Sequence, residues 1–341
     1  MRILIFGAGA IGGYLGGILT AAGADVTLVA RGAQYDALAR KGIVLESARS
    51  GRGDPIRVRV CRAGEEKGPY DLIFVGIKAH HIAENAAHLA RLTAPGGMLI
   101  FPQNGIPWWY FEKLDSPLRG TRLPSLDPEG IIARTIPLDA VIGAVTYKPA
   151  NLIEPGRIVL ADQATDRLVI GEIDNRITPR LEAIKAAIEP AGFPVTITND
   201  IRMFKWRKLL SNAVFNPLGA VTQSSALQVV KFPQTRKLAI ALIEEVLAVA
   251  KSVGVVPDMN PQDMVAYSEK RVEIPSSTLQ DVRAGRPMEL DALDNAVIDI
   301  ARVTGVPTPN LEVLMACANL LNRRIIEDRW AFPPTPVGAA R

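Results

Sequence analysis

The chain has 341 residues, long enough for two domains, and its 48% hydrophobic and 22% charged residues are an ordinary globular composition. A net charge of +4 from dispersed Lys and Arg, with no basic block and no interleaved aromatics, argues against a nucleic-acid binder and suits small anionic ligands. No apolar run reaches the roughly 18 residues of a membrane span, and the two distant cysteines, Cys61 and Cys317, suggest neither a disulfide framework nor a metal site, which fits a reducing cytoplasm.

The N-terminus lacks a leader's cleavage pattern and reads as strand, glycine turn, helix, strand. Arg2 to Phe6 is an apolar run suited to a buried parallel strand. Ala10 to Ala22 continues as a helix stopped by Gly23, and Asp25 to Ala30 is a second β-branched run. This is the βαβ unit of a doubly wound sheet. Further strands are predicted at 43–46, 56–60, 71–77, 98–102, 140–146, 157–160, 168–170 and 195–197, with helices over His80–Leu92 and Pro179–Ile188. Residues 112–138 are the least regular stretch and read as an insertion or long loop with a short helix. The expected α/β domain therefore covers 1–198. Residues 199–330 carry long helical patterns and no clear strand, including starts at Asn260-Pro261 and Thr308-Pro309. A tail, 331–341, is Pro- and Gly-rich from Pro333 on and is predicted to fray.

Gly7-Ala8-Gly9-Ala10-Ile11-Gly12 is G-x-G-x-x-G directly after a strand and opening a helix. Gly7 permits the tight turn, Gly9 lets backbone approach a pyrophosphate, and Gly12 lets the helix pack on the sheet. The context argues for a bound dinucleotide over a ligand-free glycine turn. At the end of the second strand an acid would hold a ribose 2′-hydroxyl; here Arg31 stands there, and a guanidinium suits a 2′-phosphate. The expectation is NADP(H), the alternative being a solvated surface charge. Lys78 and Asn104 each follow a strand end, where Lys78 could neutralise phosphate and Asn104 could orient ribose or substrate; either also suits an ordinary loop residue. His80 and His81 read as exposed helix residues, and no spaced set of His, Cys and carboxylates suggests a metal.

In Trp206–Val221, a mostly apolar helix, Lys208, Asn212 and Asn216 recur at i, i+4 and i+8, and Pro217 predicts a kink. Two Asn on one face of such a helix need polar partners: a ligand, or each other's neighbours in a satisfied seam. Hydride reduction of a ketone needs a proton donor at the developing alkoxide. All three histidines lie in 80–88, so Lys208 is the candidate donor, its pKa lowered by burial, with Asn212 and Asn216 orienting substrate oxygens. Glu289 opens a later helix on the inward face of Leu293, Val297 and Ile300. It could pair with Lys208, bond a substrate hydroxyl or approach the nicotinamide, or simply complement the helix dipole. Asp291 and Asp294 are expected to face solvent.

GAGAIGG, Arg31, Ile77-Lys78-Ala79, Gln103-Asn104-Gly105, KLLSNAVFNPLGAV, SSTLQDV and MELDALDNAV occur in this order over nearly the whole chain. In that combination the sequence resembles ketopantoate reductase (2-dehydropantoate 2-reductase). The resemblance implies a Rossmann-type doubly wound domain followed by an all-helical one, with the active site in a cleft between them. It implies Lys208 as proton donor, Asn104, Asn212, Asn216 and Ser277 as substrate contacts, and Glu289 near substrate and nicotinamide. It implies (R)-pantoate as product, on the route to pantothenate and coenzyme A. By analogy with the helical domains of such proteins, a homodimer is plausible. Two departures bear on substrate. Ser225-Ala226-Leu227 stands where the family usually has Asn-Gly, and Trp108-Trp109 follow Asn104-Gly105, near the expected cleft. A reductase of another branched or aromatic 2-oxo acid, and a non-catalytic NADP(H)-binding sensor, are the alternatives; turnover on a 2-oxo acid panel separates them.

Overall fold

Arg2–Phe6 forms strand β1, and its alternation decides the layers. Ile3 and Ile5 pack into one apolar core, Leu4 and Phe6 into another on the opposite face. A strand buried on both faces needs helices on both, which is why this run is continuously apolar. Each fully buried Leu or Ile contributes about 1.5–3 kcal/mol.

In this computed structural model residues 1–270, 273 and 275–333 are described; of the tail, 334–341 lie outside the described residues. The chain divides into two compact units. The first comprises Met1–Gln103, Pro107–Arg122 and Asp127–Phe204; the second comprises Asn104–Ile106, Leu123–Leu126 and the chain from Lys205 on.

In the first unit β1 is followed by α1 (Ala10–Ala21), β2 (Asp25–Val29), α2 (Gly32–Lys41), β3 (Val44–Ser47), β4 (Gly51–Arg52), β5 (Arg59–Cys61) and β6 (Tyr70–Val75). Then come α3 (Ile82–Leu92), β7 (Thr93–Phe101), α4 (Ile131–Thr135), β8 (Val141–Tyr147), β9 (Ala150–Glu154), β10 (Arg157–Leu160), β11 (Arg167–Glu172), α5 (Pro179–Ile188) and β12 (Val195–Ile197). The main sheet runs β12-β11-β8-β7-β6-β1-β2-β5. All its neighbours pair in parallel except β8 and β11. The chain moves outward from β1 to β2 and β5, then returns to β6 and goes the other way. The switch point therefore lies between β1 and β6, where open α/β sheets bind ligands. Helices α1, α2 and α5 cover one face, α3 the other. A second sheet, β4-β3-β10-β9, includes β9, which the sequence did not reveal: it is a largely exposed edge strand without an apolar run.

The irregular 112–138 stretch is held by Asp127. Its carboxylate accepts from the N–H groups of Ile132 and Ala133, capping α4. Trp109 is 0% exposed and lies in the core of this unit, so it is a packing residue rather than a pocket wall.

The second unit is helical: α6 (Ile201–Thr222, from Lys205 on), α7 (Ala226–Lys231), α8 (Pro233–Ser252), α9 (Pro261–Glu269), α10 (Ser277–Arg283), a π-turn at Asp291–Asn295, α11 (Ala296–Thr304) and α12 (Pro309–Asp328). Asn260 caps α9 as its sequence predicts. The start of α12 is capped instead by Glu245 of α8, whose carboxylate accepts from the N–H groups of Asn310 and Leu311. Within this unit the Ser125 N–H donates to Asp299 at 2.8 Å, tying 123–126 to α11.

Candidate active site

At the switch point the loop after β1 is closely built. Gly7 has φ +111, and a Cβ on Gly12 would lie 2.1 Å from the Gly7 carbonyl, so the turn and the helix close together only with glycine at both positions. Gly9, the N-cap of α1, offers no capping side chain, no acid follows in the first turn, and a Cβ on it would meet nothing. The first-turn N–H groups of α1 thus have no side-chain cap and the space beside Gly9 is open, an arrangement that fits a pyrophosphate. Ala8 is fixed by its N–H donating to Val29 O and by Gln34, whose Nε2 donates to Ala8 O at 2.8 Å while its Oε1 accepts from the Gly156 N–H. Sequence reading missed Gln34, because its partners lie in two other segments.

Arg31 leaves the carboxyl end of β2 as the N-cap of α2. It is exposed, and its guanidinium has no ion pair or hydrogen bond among the described residues. Asp25, the only acid of β2, sits at the opposite end, paired with Arg59 at 2.6 Å. Lys78 follows β6 at the head of a short 3-10 turn, Ala79–His81, and is half-buried. Gln103 donates to Val75 O and Ile77 O, bracing the end of β6.

In the second unit Lys208, Asn212 and Asn216 lie on one face of α6 as their spacing requires, and the helix continues past Pro217 to Thr222. Lys208 and Asn212 are half-buried and Asn216 is 6% exposed. Neither amide has a hydrogen-bond partner among the described residues, which is not what a self-satisfied seam would give. Burial pulls the Lys208 ammonium down from the usual lysine value to about 8. Lys205, one turn earlier, is 2% exposed and is brought to about 7 by burial and by the neighbouring Lys208 charge. Its spacing, three residues before Lys208 and seven before Asn212, could have found it.

Asn104 is exposed at the tip of a loop docked onto the π-turn. The Ile106 N–H donates to Ala292 O at 2.7 Å, and Gly105 (φ +85) comes so close that a Cβ would lie 2.1 Å from that oxygen. The loop therefore sits against the segment that follows half-buried Glu289. Ser277 is the exposed first residue of α10, after its N-cap Ser276, and no described bond ties its hydroxyl to the other candidates. One expectation fails. Asp294 is 0% exposed, not solvent-facing, and both its oxygens lack a hydrogen-bond partner among the described residues, so burial raises its pKa well above the carboxylate range. The π-turn inserts an extra residue and so rotates the side chains by about 100° relative to an α-helical count.

Two family models cover most of the chain: "Ketopantoate reductase PanE/ApbA" over residues 3–175 and "Ketopantoate reductase PanE/ApbA C terminal" over 200–322. The chain belongs to the ketopantoate reductase family. The reductase is 35% identical to the 2-dehydropantoate 2-reductase of Mesorhizobium japonicum, over 97% of this chain and 100% of that one. A Ralstonia solanacearum protein assigned as a ketopantoate reductase superposes with TM-score 0.88 at 32% identity, covering 94% of this chain and 98% of the other. A D-mandelate dehydrogenase solved with NADH and anilino(oxo)acetate shares the fold at TM-score 0.80 and 18% identity, over 96% of this chain and 100% of that one. The present chain is thus an NAD(P)-dependent oxidoreductase of the 2-dehydropantoate 2-reductase type, acting on a small molecule. Among the described residues no helix is long and apolar enough to cross a membrane, and no cluster of His, Cys, Asp and Glu could hold a metal.

Ser225 caps α7: its side chain accepts from the Gln228 N–H, and the Gln228 side-chain oxygen accepts from the Ser225 N–H.

Proposed function

We propose that this reductase uses NADPH to convert 2-dehydropantoate to (R)-pantoate, supplying pantothenate and coenzyme A synthesis in the cytoplasm. The observation that carries the reading is the face of α6, where an ammonium of lowered proton affinity shares one helical stripe with two amides that have no described partner. The reduced nicotinamide, when bound, supplies the hydride. Lys208 donates its proton to the carbonyl oxygen as that oxygen gains charge, so the ketone becomes a hydroxyl and Lys208 a neutral amine. Asn212 and Asn216 donate hydrogen bonds that orient the 2-oxo acid, with Asn104 and Ser277 completing its contacts and Glu289 bonding its hydroxyl. The Gly7–Gly12 loop, Ala8, Ala10 and Ile11 included, cradles the pyrophosphate; Arg31 takes the 2′-phosphate, and Lys78 and Asn104 serve the phosphate and ribose. A homodimer is part of the reading, and light scattering of the purified chain tests it.

A second reading keeps this chemistry and changes the acid. It rests on Ser225, which caps α7 at the position where the family resemblance leads us to expect a substrate-contacting amide. Steady-state rates with NADPH against ketopantoate, pyruvate and branched and aromatic 2-oxo acids decide. Ketopantoate no better than pyruvate removes the first reading, and no turnover on any acid removes both.

A further inference from the structure

Strand β5 runs parallel to β2 at the sheet edge, with Val29 opposite Cys61 and the Ala30 N–H donating to Cys61 O at 3.1 Å. Arg31 and Arg62 therefore leave the sheet at the same end, from neighbouring strands about 4.8 Å apart. That is the end outside which such sheets bind ligands. The Arg62 guanidinium carbon lies 3.8 Å from the centre of the Tyr35 ring, and Tyr35 stands in the first turn of α2, four residues after Arg31. A guanidinium held over an aromatic face by cation–π attraction still presents N–H groups to solvent and loses less freedom on binding than an unrestrained one. The carboxylates in range do not hydrogen-bond those groups: Asp36 Oδ1 is 3.7 Å away and Glu65 Oε1 3.9 Å, both beyond hydrogen-bond reach, and Arg62's side chain is 54% exposed.

We propose that Arg62, held over the Tyr35 ring, is a second guanidinium for the phosphate on the adenosine ribose, acting beside Arg31. This rests on the NADPH reading above. A phosphate monoester carries nearly two charges near neutrality, so a pair of guanidiniums matches it where one does not. The carboxylates of Asp36 and Glu65 are each half exposed, and Glu65 is held by the Arg62 backbone N–H at 2.9 Å through its other oxygen, so both pull only weakly on the guanidinium in solvent. Arg62 thus favours NADPH over NADH without touching the reacting atoms.

The test compares kcat/KM for NADPH and for NADH in the unaltered protein and in Arg62→Ala, Arg62→Lys and Arg31→Ala. Inhibition by adenosine 2′,5′-bisphosphate and by ADP provides a readout independent of turnover. Arg62→Ala should lower the NADPH-to-NADH ratio about tenfold, as expected for one lost charge-assisted contact, and Arg62→Lys should restore part of it. Inhibition by the 2′-phosphate compound should weaken while that by ADP does not follow. A ratio within twofold of the unaltered protein, or equal weakening of both inhibitors, overturns the proposal. If Arg31→Ala abolishes the preference and Arg62→Ala does not, this inference fails alone. If the unaltered protein uses NADH as well as NADPH, the cofactor reading fails and takes this one with it.

Discussion

Raising the pH through the Lys208 titration should switch reduction off. In the proposed reaction the proton delivered to the substrate comes from Lys208, whose ammonium burial brings down to about 8. Roughly nine-tenths of it is protonated at pH 7 and about one-tenth at pH 9, so kcat/KM for reduction should fall about tenfold over that interval, approaching unit slope above it. An unperturbed lysine would give no fall until roughly pH 10. Replacing the donor fixes the assignment. Lys208→Ala should cost about 10²–10⁴ in kcat, the usual worth of a placed general acid. Lys208→Arg keeps a charge that does not titrate in this range, so its residual rate should lose the alkaline limb. Initial rates of NADPH oxidation from pH 6 to 10 measure all three. A flat profile to pH 9.5 in the unaltered enzyme, or an Ala variant within threefold of it, would refute the argument.

Three further outcomes test the second unit. Gly105→Ala forces a side chain into a left-handed backbone and against the Ala292 carbonyl; urea titration should show a loss of at least about 1–2 kcal/mol, with a raised KM as Asn104 shifts. Asp294→Asn removes a buried carboxyl that must stay protonated. Because its native pKa is raised, the penalty is absent below about pH 4 and grows as pH rises, so the variant's gain in Tm should be larger at pH 8 than at pH 4, and equal shifts would contradict it. Lys205 is lowered to about 7, so between there and the unfolded lysine value the native state binds fewer protons and stability should rise with pH. Lys205→Met should flatten that rise, as differential scanning calorimetry across the interval will register.

Much of the candidate site could be read from the chain itself where its parts are local. The glycine loop, Arg31 and the stripe on α6 are each set by a few consecutive turns, because strand alternation and helical period place side chains regardless of what packs on them. The same counting failed at Asp294. It assumes an unbroken α-helix, whereas a π-turn at Asp291–Asn295, where the Ile106 N–H donates to Ala292 O, upsets the register.

The sequence by itself determined most of the element order, the Gly7–Gly12 turn and the family, since each is carried by short-range pattern. Only the tertiary structure decided that Trp109 is core, that Gln34 braces the Gly7–Gly12 loop, that Glu245 caps α12 and that Arg62 leaves the sheet beside Arg31. Those contacts join residues far apart along the chain, and no local preference encodes which distant groups folding will bring within hydrogen-bond distance.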